Sequence, residues 1–190
     1  MIGEKGDLMK EQTEKLIAYL NLLGIRISSD SFESRMKAQK LAYIIQNLLG
    51  KRLYQFNFYV RGPYSPELAR DYFEHASDFA GGKSSYEPSS DEREKLEHAK
   101  TFLSNMGLSE FEIVAGLLFL MQEKGLNEND AELKLHELKP QLKLEDIWRG
   151  TNTIKKLFLT SELRDKIMNE LKKELDAWDA ASNISLKRFE

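Results

Sequence analysis

Residues 35–68 read RMKAQKLAYIIQNLLGKRLYQFNFYVRGPYSPEL, and two hydrophobic periods meet inside them. In the first half, Ala38, Leu41, Ala42, Ile45, Leu48 and Leu49 recur at steps of one and three residues, which lines one face of a helix. Ser29, Asp30 and Ser31 offer capping oxygens ahead of it, and Gly50 suits its end. In the second half, Phe56, Phe58 and Val60 alternate with Gln55, Asn57 and Tyr59, the period-two pattern of a strand with one buried face. The strand runs into Arg61-Gly62-Pro63-Tyr64-Ser65-Pro66. Here Gly62 supplies a permissive backbone, Pro63 fixes a turn, Ser65 can cap and Pro66 fits the first position of a new helix. That helix is expected to reach about Phe79, with Leu68, Tyr72, Phe73 and Ala76 as its apolar stripe. Helix, strand, turn and helix in succession predict a mainly α, compact multi-helix domain with a two- or three-stranded β element.

The flanking segments add helices. Met9, Leu16, Ile17, Leu20 and Leu23 predict one before Gly24, after a frayed tail over residues 1–8. Ser89 with Glu92, and Ser109 with Glu112, have capping-box spacing ahead of Leu96-Ala99-Leu103-Met106 and of the apolar run from Ile113 to Met121. That run is apolar all round and is expected at the centre of its neighbours. Further helices are expected at about 128–138, 144–159 and over Leu163, Ile167, Leu171, Leu175 and Trp178, with Pro140 and Gly150 as punctuation and both Trp148 and Trp178 packed in the core. Between them Gly81-Gly82-Lys83-Ser84-Ser85-Tyr86-Glu87-Pro88 breaks the pattern, and a hairpin arm with a short strand at Tyr86 would make the arrangement winged-helix-like. The organisation expected is an N-terminal part, 1–80, and a helical C-terminal part, 81–190, packed as one domain.

The charge is segregated. With 31 acidic and 28 basic residues the chain totals −3, yet Ser34 to Pro66 holds no Asp or Glu and six cations: Arg35, Lys37, Lys40, Lys51, Arg52 and Arg61. Interleaved with them are Tyr43, Tyr54, Phe56, Phe58, Tyr59 and Tyr64. A basic stretch rich in aromatics attracts phosphate or an acidic protein surface. On the helix, Lys37, Lys40 and Gln46 are expected on the wet face.

Signals for chemistry are missing. There is no cysteine, so disulfide scaffolds, thiolate metal sites and thiol nucleophiles are excluded. His75, His98 and His136 share no metal-ligand spacing, and no serine sits in a Gly-x-Ser-x-Gly elbow. Gly81-Gly82-Lys83-Ser84 lacks the earlier glycine of a phosphate loop and reads as a turn. The longest apolar run, Ile113 to Met121, is too short to span a bilayer, and no signal peptide is visible; a cytoplasmic location is expected. No enzyme, cofactor or metal is expected.

Two segments, Lys37-Ala38-Gln39-Lys40-Leu41-Ala42-Tyr43-Ile44-Ile45 and Phe58-Tyr59-Val60-Arg61-Gly62-Pro63-Tyr64-Ser65-Pro66-Glu67-Leu68, resemble the SocA-like, or Panacea, antitoxin domain and the related YwgA-like proteins. In that pattern a "KLQKLLYF" helix precedes a strand ending in Gly-Pro-Tyr/Val-Ser. The likeness covers about Arg35 to Phe73; Ala38 and Ala42 stand where larger aliphatic residues are common. It implies a mostly helical, non-enzymatic domain that works through protein contacts, with a toxin as one partner. The function expected is thus a protein-interaction module that binds a partner protein through Lys37, Lys40, Lys51, Arg52, Tyr59, Arg61 and Tyr64, with Gly62, Pro63, Ser65 and Pro66 as the structural turn. The alternative is a winged-helix nucleic-acid-binding regulator that sets Lys37, Lys40, Lys51 and Arg52 on phosphate and uses the 81–88 loop as its wing.

Overall fold

The computed structural model describes residues 3–159, 169–175 and 178. The acid-free stretch opens with α2 (Phe32–Leu49), capped by Ser31, whose hydroxyl accepts the Ser34 N–H at 3.0 Å, and ended by Gly50. Its expected apolar face is buried, and Tyr43, Ile44, Gln39, Lys40 and Gln46 are buried as well, so neighbours enclose it on almost every side. The main neighbour is α6 (Leu108–Lys124), whose residues 111–120 are all buried. Being apolar all round, α6 can lie only in the centre, and it also carries α7 (Glu128–Leu138) and α8 (Leu144–Leu157). On the other side α1 (Gly3–Leu23) packs on α5 (Ser90–Leu103), which touches α2 and α8.

The sheet has two strands, β1 (Asn57–Tyr59) and β2 (Gly62–Tyr64), antiparallel in the register Asn57↔Tyr64, Phe58↔Pro63 and Tyr59↔Gly62. After it come α3 (Pro66–Glu74) and α4 (Ala76–Gly81). The fold is mainly α with a small β element. Among the described residues no helix is long and apolar enough to cross a membrane.

Several local expectations are corrected. The expected strand over Gln55–Val60 shortens to β1, and Val60, expected inside, is 90% exposed because it lies in the hairpin turn. Residues 83–89 form no strand: Tyr86 instead packs edge-on against Tyr19, 5.8 Å between ring centres, so no wing exists there. The helix after the turn breaks at His75, and Phe73 is exposed. Helix α1 begins at Gly3, inside the expected tail. Ser109 and Glu112 form no capping box: the cap residue is Gly107, two residues earlier, whose N–H donates to Glu110 at 2.7 Å, which frees Glu112 for another task.

Gly150 does not interrupt its helix. It lies inside α8, where a methyl group would fall 2.4 Å from Ile113 Cγ2, so glycine lets α8 approach α6 closely. Trp148 lies outside that contact and is 54% exposed, not packed in the core.

The chain divides into compact units Met1–Leu157 and Phe158–Glu190, and the segment 81–90 runs within the first. In the second, residues 169–175 are helical, with Leu171, Leu175 and Trp178 exposed; the expected helical positions Leu163 and Ile167 lie outside the described residues.

Candidate functional site

The two motif segments interlock. Gln39, one turn into the buried part of α2, donates from Nε2 to the Ser65 carbonyl at 3.0 Å and accepts the Ser65 N–H on Oε1 at 2.8 Å. Lys40, the next residue, donates from Nζ to the Pro63 carbonyl at 2.8 Å. Ser65 in turn caps α3 by accepting the Leu68 N–H at 3.3 Å, with Pro66 at the first helical position as expected. Thus a Gln-Lys pair on one helix fixes the backbone that links strand to helix.

A second lysine holds the turn itself. Lys139, just after α7, donates to the Val60 carbonyl at 2.8 Å and forms an ion pair with Glu112 on α6. All three charged side chains are enclosed: Lys40 is 0%, Lys139 2% and Glu112 8% exposed. Burial pushes the Lys40 ammonium down to about 8; Glu112 opposes the shift, whereas Lys139 and Arg61 add to it. Two buried cations against one carboxylate leave positive charge beneath the hairpin.

The hairpin has two unlike sides. Inward, Phe58 meets Phe119 at 5.3 Å, Phe119 meets Tyr43 at 5.8 Å and Tyr43 meets Phe56 at 5.1 Å between ring centres, which anchors β1 to the core. Outward, Tyr59 and half-buried Tyr64 stand edge-to-face at 5.5 Å, beside fully presented Val60 and exposed Arg61. Val60 and Arg61 keep negative φ, and Gly62 takes the left-handed step at φ 86. A side chain at residue 62 would be strained there. On α3, exposed Phe73 packs on buried Tyr72, and the Arg35 guanidinium lies over the Phe73 ring at 5.8 Å.

The candidate residues therefore divide. Tyr59, Arg61 and Tyr64 share the outer face, on a turn built from Gly62, Pro63, Ser65 and Pro66. Arg52 is exposed and has no ion pair among the described residues. Lys37 is half-buried, with its ammonium 5.2 Å from the centre of the Phe111 ring. Lys40, expected on the wet face of α2, lies wholly inside because its long side chain reaches the Pro63 carbonyl. Gln46, expected beside it, is also buried and accepts the Tyr54 N–H at 3.1 Å. Lys51 is matched to the chain's own Glu92, a buried carboxylate that also accepts from the Tyr19 hydroxyl at 2.5 Å and the Ser89 N–H at 2.6 Å. Lys51 is thus spent on a structural hub.

Gln39, Glu112 and Lys139 were not among the expected functional residues. Glu112 carried a signal, as a carboxylate directly before the apolar run from Ile113 to Met121; the other two show their role only once the chain is folded. Elsewhere, a cleft of about 610 Å³ lies between α1 and the α3–α4 junction, lined by residues including Thr13, Glu14, His75, Asp78 and Lys83. Behind it buried Asp71 accepts from Thr13 at 3.0 Å and Tyr54 at 2.9 Å, and burial raises its carboxyl above the ordinary value. Among the described residues no group of three or more His, Asp or Glu side chains converges to hold a metal.

Comparison with protein-family models, curated proteins and solved structures finds no match for this chain.

Proposed function

We propose that this chain is a non-enzymatic protein-interaction module of the SocA-like, YwgA-like kind, which docks a partner protein on the outer face of the β1–β2 hairpin. A toxin is the partner that the resemblance suggests. The observation that carries the reading is the clamp: Gln39, Lys40 and Lys139 hold the hairpin backbone from below, so Tyr59, Val60, Arg61 and Tyr64 are presented on a stiff platform. Preorganised tyrosine and arginine side chains make effective interface anchors because little entropy is lost on docking.

Protein is favoured over nucleic acid by the fate of the cations. Lys40 is buried, Lys51 pairs with Glu92 and residues 83–89 make no wing, which removes much of the phosphate-binding set.

The test is affinity capture from the native host with wild type and with Tyr59→Ala, Arg61→Glu and Trp148→Ala, all matched for thermal stability. The reading expects a partner protein held by wild type and Trp148→Ala and reduced about tenfold or more by the two hairpin variants. Equal recovery with all four, or recovery of nucleic acid alone, contradicts it.

A further inference from the structure

The hairpin is a sheet of two strands, and its edges differ. Strand β2 lies against α2 and α6, whereas β1 is the outer strand, with β2 as its sole strand neighbour among the described residues. In an antiparallel pair about half of a strand's N–H and C=O groups point away from the partner strand. Pro63 has no N–H, so Asn57↔Tyr64 and Tyr59↔Gly62 are the hydrogen-bonded pairs and the outward groups belong to half-buried Phe56 and Phe58; none of these has an intramolecular hydrogen bond among the described residues. An open edge of this kind is a template for another strand.

The charge around it selects the strand. Arg61 extends from the adjoining turn, and Lys40 and Lys139 lie beneath it. Arg52 acts on Tyr43, which packs on Phe56, and Lys124 stands over Phe119, which packs on Phe58. Against these five cations stand Glu112 and Glu123, and Asp71 and Glu67 act on Tyr54 next to Gln55. The edge keeps a small cationic excess, with Arg52 and Arg61 among its exposed cations.

We propose that β1 takes up an extended acidic segment of the partner protein as a third, edge-added strand, with carboxylates that face Arg52 and Arg61. This rests on the protein-docking reading and specifies how the docking is done. Main-chain hydrogen bonds supply the register, and alternate acidic side chains supply selectivity.

The probe is a short end-blocked peptide that alternates glutamate and valine, titrated into the ¹⁵N-labelled full chain. Two companions are used: the same peptide N-methylated at every residue, which keeps the charge but has no N–H on either edge to donate to the ladder, and its lysine counterpart. The proposal expects amide shifts centred on 55–61 with the acidic peptide. It expects about tenfold weaker binding by the N-methylated peptide and by Arg61→Glu protein, and none by the lysine peptide. No shifts at 55–61 up to about 1 mM acidic peptide, or equal binding by the N-methylated peptide, overturns strand addition. Because host capture by the Tyr59 and Arg61 variants is read separately, failure here with capture still hairpin-dependent removes only this mode of docking. Hairpin-independent capture removes the docking reading itself.

Discussion

Replacing Gln39 by Leu tests the joint on which the platform depends. Leucine nearly conserves the volume of a side chain that is 1% exposed, but it deletes both hydrogen bonds to Ser65. The losses are unequal. The Ser65 carbonyl keeps the Ala69 N–H at 3.0 Å, whereas the Ser65 N–H is left in a dry site without an acceptor. One orphaned buried donor costs about 1–3 kcal/mol. The Tyr72 hydroxyl, which also meets the Gln39 amide, loses a partner, and the more apolar leucine returns part of the cost. The net expectation is a destabilisation of about 2 kcal/mol, or a fall in Tm of about 4–8 °C for a chain of this size. Urea unfolding followed by far-UV circular dichroism reads it as a lower midpoint at unchanged m. Amide exchange through residues 59–65 should also accelerate, because the hairpin is tethered there. The exposed Gln122→Leu serves as the control and should leave the midpoint within about 0.5 kcal/mol of wild type. A Gln39→Leu midpoint equally close to wild type would refute the claim that the two motif segments are joined through this side chain.

Three other perturbations follow from the same packing. Burial acts to raise the Glu92 carboxyl, but Lys51, Tyr19, the Ser89 N–H and Tyr86 together hold it at about 2, below its ordinary 4.5. Its contribution is therefore complete above pH 4.5 and disappears as pH falls toward 2; Glu92→Gln should lose about 2 kcal/mol at pH 7, discounted for the half-exposed Lys51, and flatten the profile across that window. Lys40 has the opposite sign of slope: with its ammonium at about 8 and not 10.5, the folded chain binds fewer protons between those values, so stability rises with pH from 8 toward 10, and Lys40→Met should lack that rise in urea midpoints. Above pH 10 buried Tyr19, Tyr43 and Tyr54, all pushed upward, reverse the trend. Gly150→Ala should cost about 1–3 kcal/mol by thermal denaturation, since its methyl group would overlap Ile113, and a neutral result would mean that α8 does not approach α6 so closely.

Much of this architecture is legible from spacing alone. The periods of α2 and α6, the Ser89–Glu92 cap and the Ser65-Pro66 helix start depend on local geometry, and all are present in the fold. What spacing does not show is how far a long side chain reaches. Lys40 sits where a helical projection places solvent, yet four methylene groups carry its ammonium to Pro63, and Glu112, far along the chain, offsets part of the cost of burying it. Glu112 itself mimics a cap three residues after Ser109, because a capping box and an isolated buried carboxylate share one spacing. Trp148 fits an apolar period and still faces out, since Gly150 and Ile147 form the side that meets α6. For the candidate site, Tyr59, Arg61 and the turn could be named from sequence. The division of the six cations into exposed, buried and internally paired could not, because each outcome depends on a distant partner.

Where a partner touches the chain is the most direct test of the hairpin as docking face. A photo-crosslinking amino acid placed at Tyr59, and separately at Trp148, in the full chain within its native host makes the comparison with two side chains of similar exposure. A discrete protein adduct from position 59 that is absent from position 148 is the predicted result. Adducts from 148 alone, or none from 59, would contradict the hairpin as the docking face.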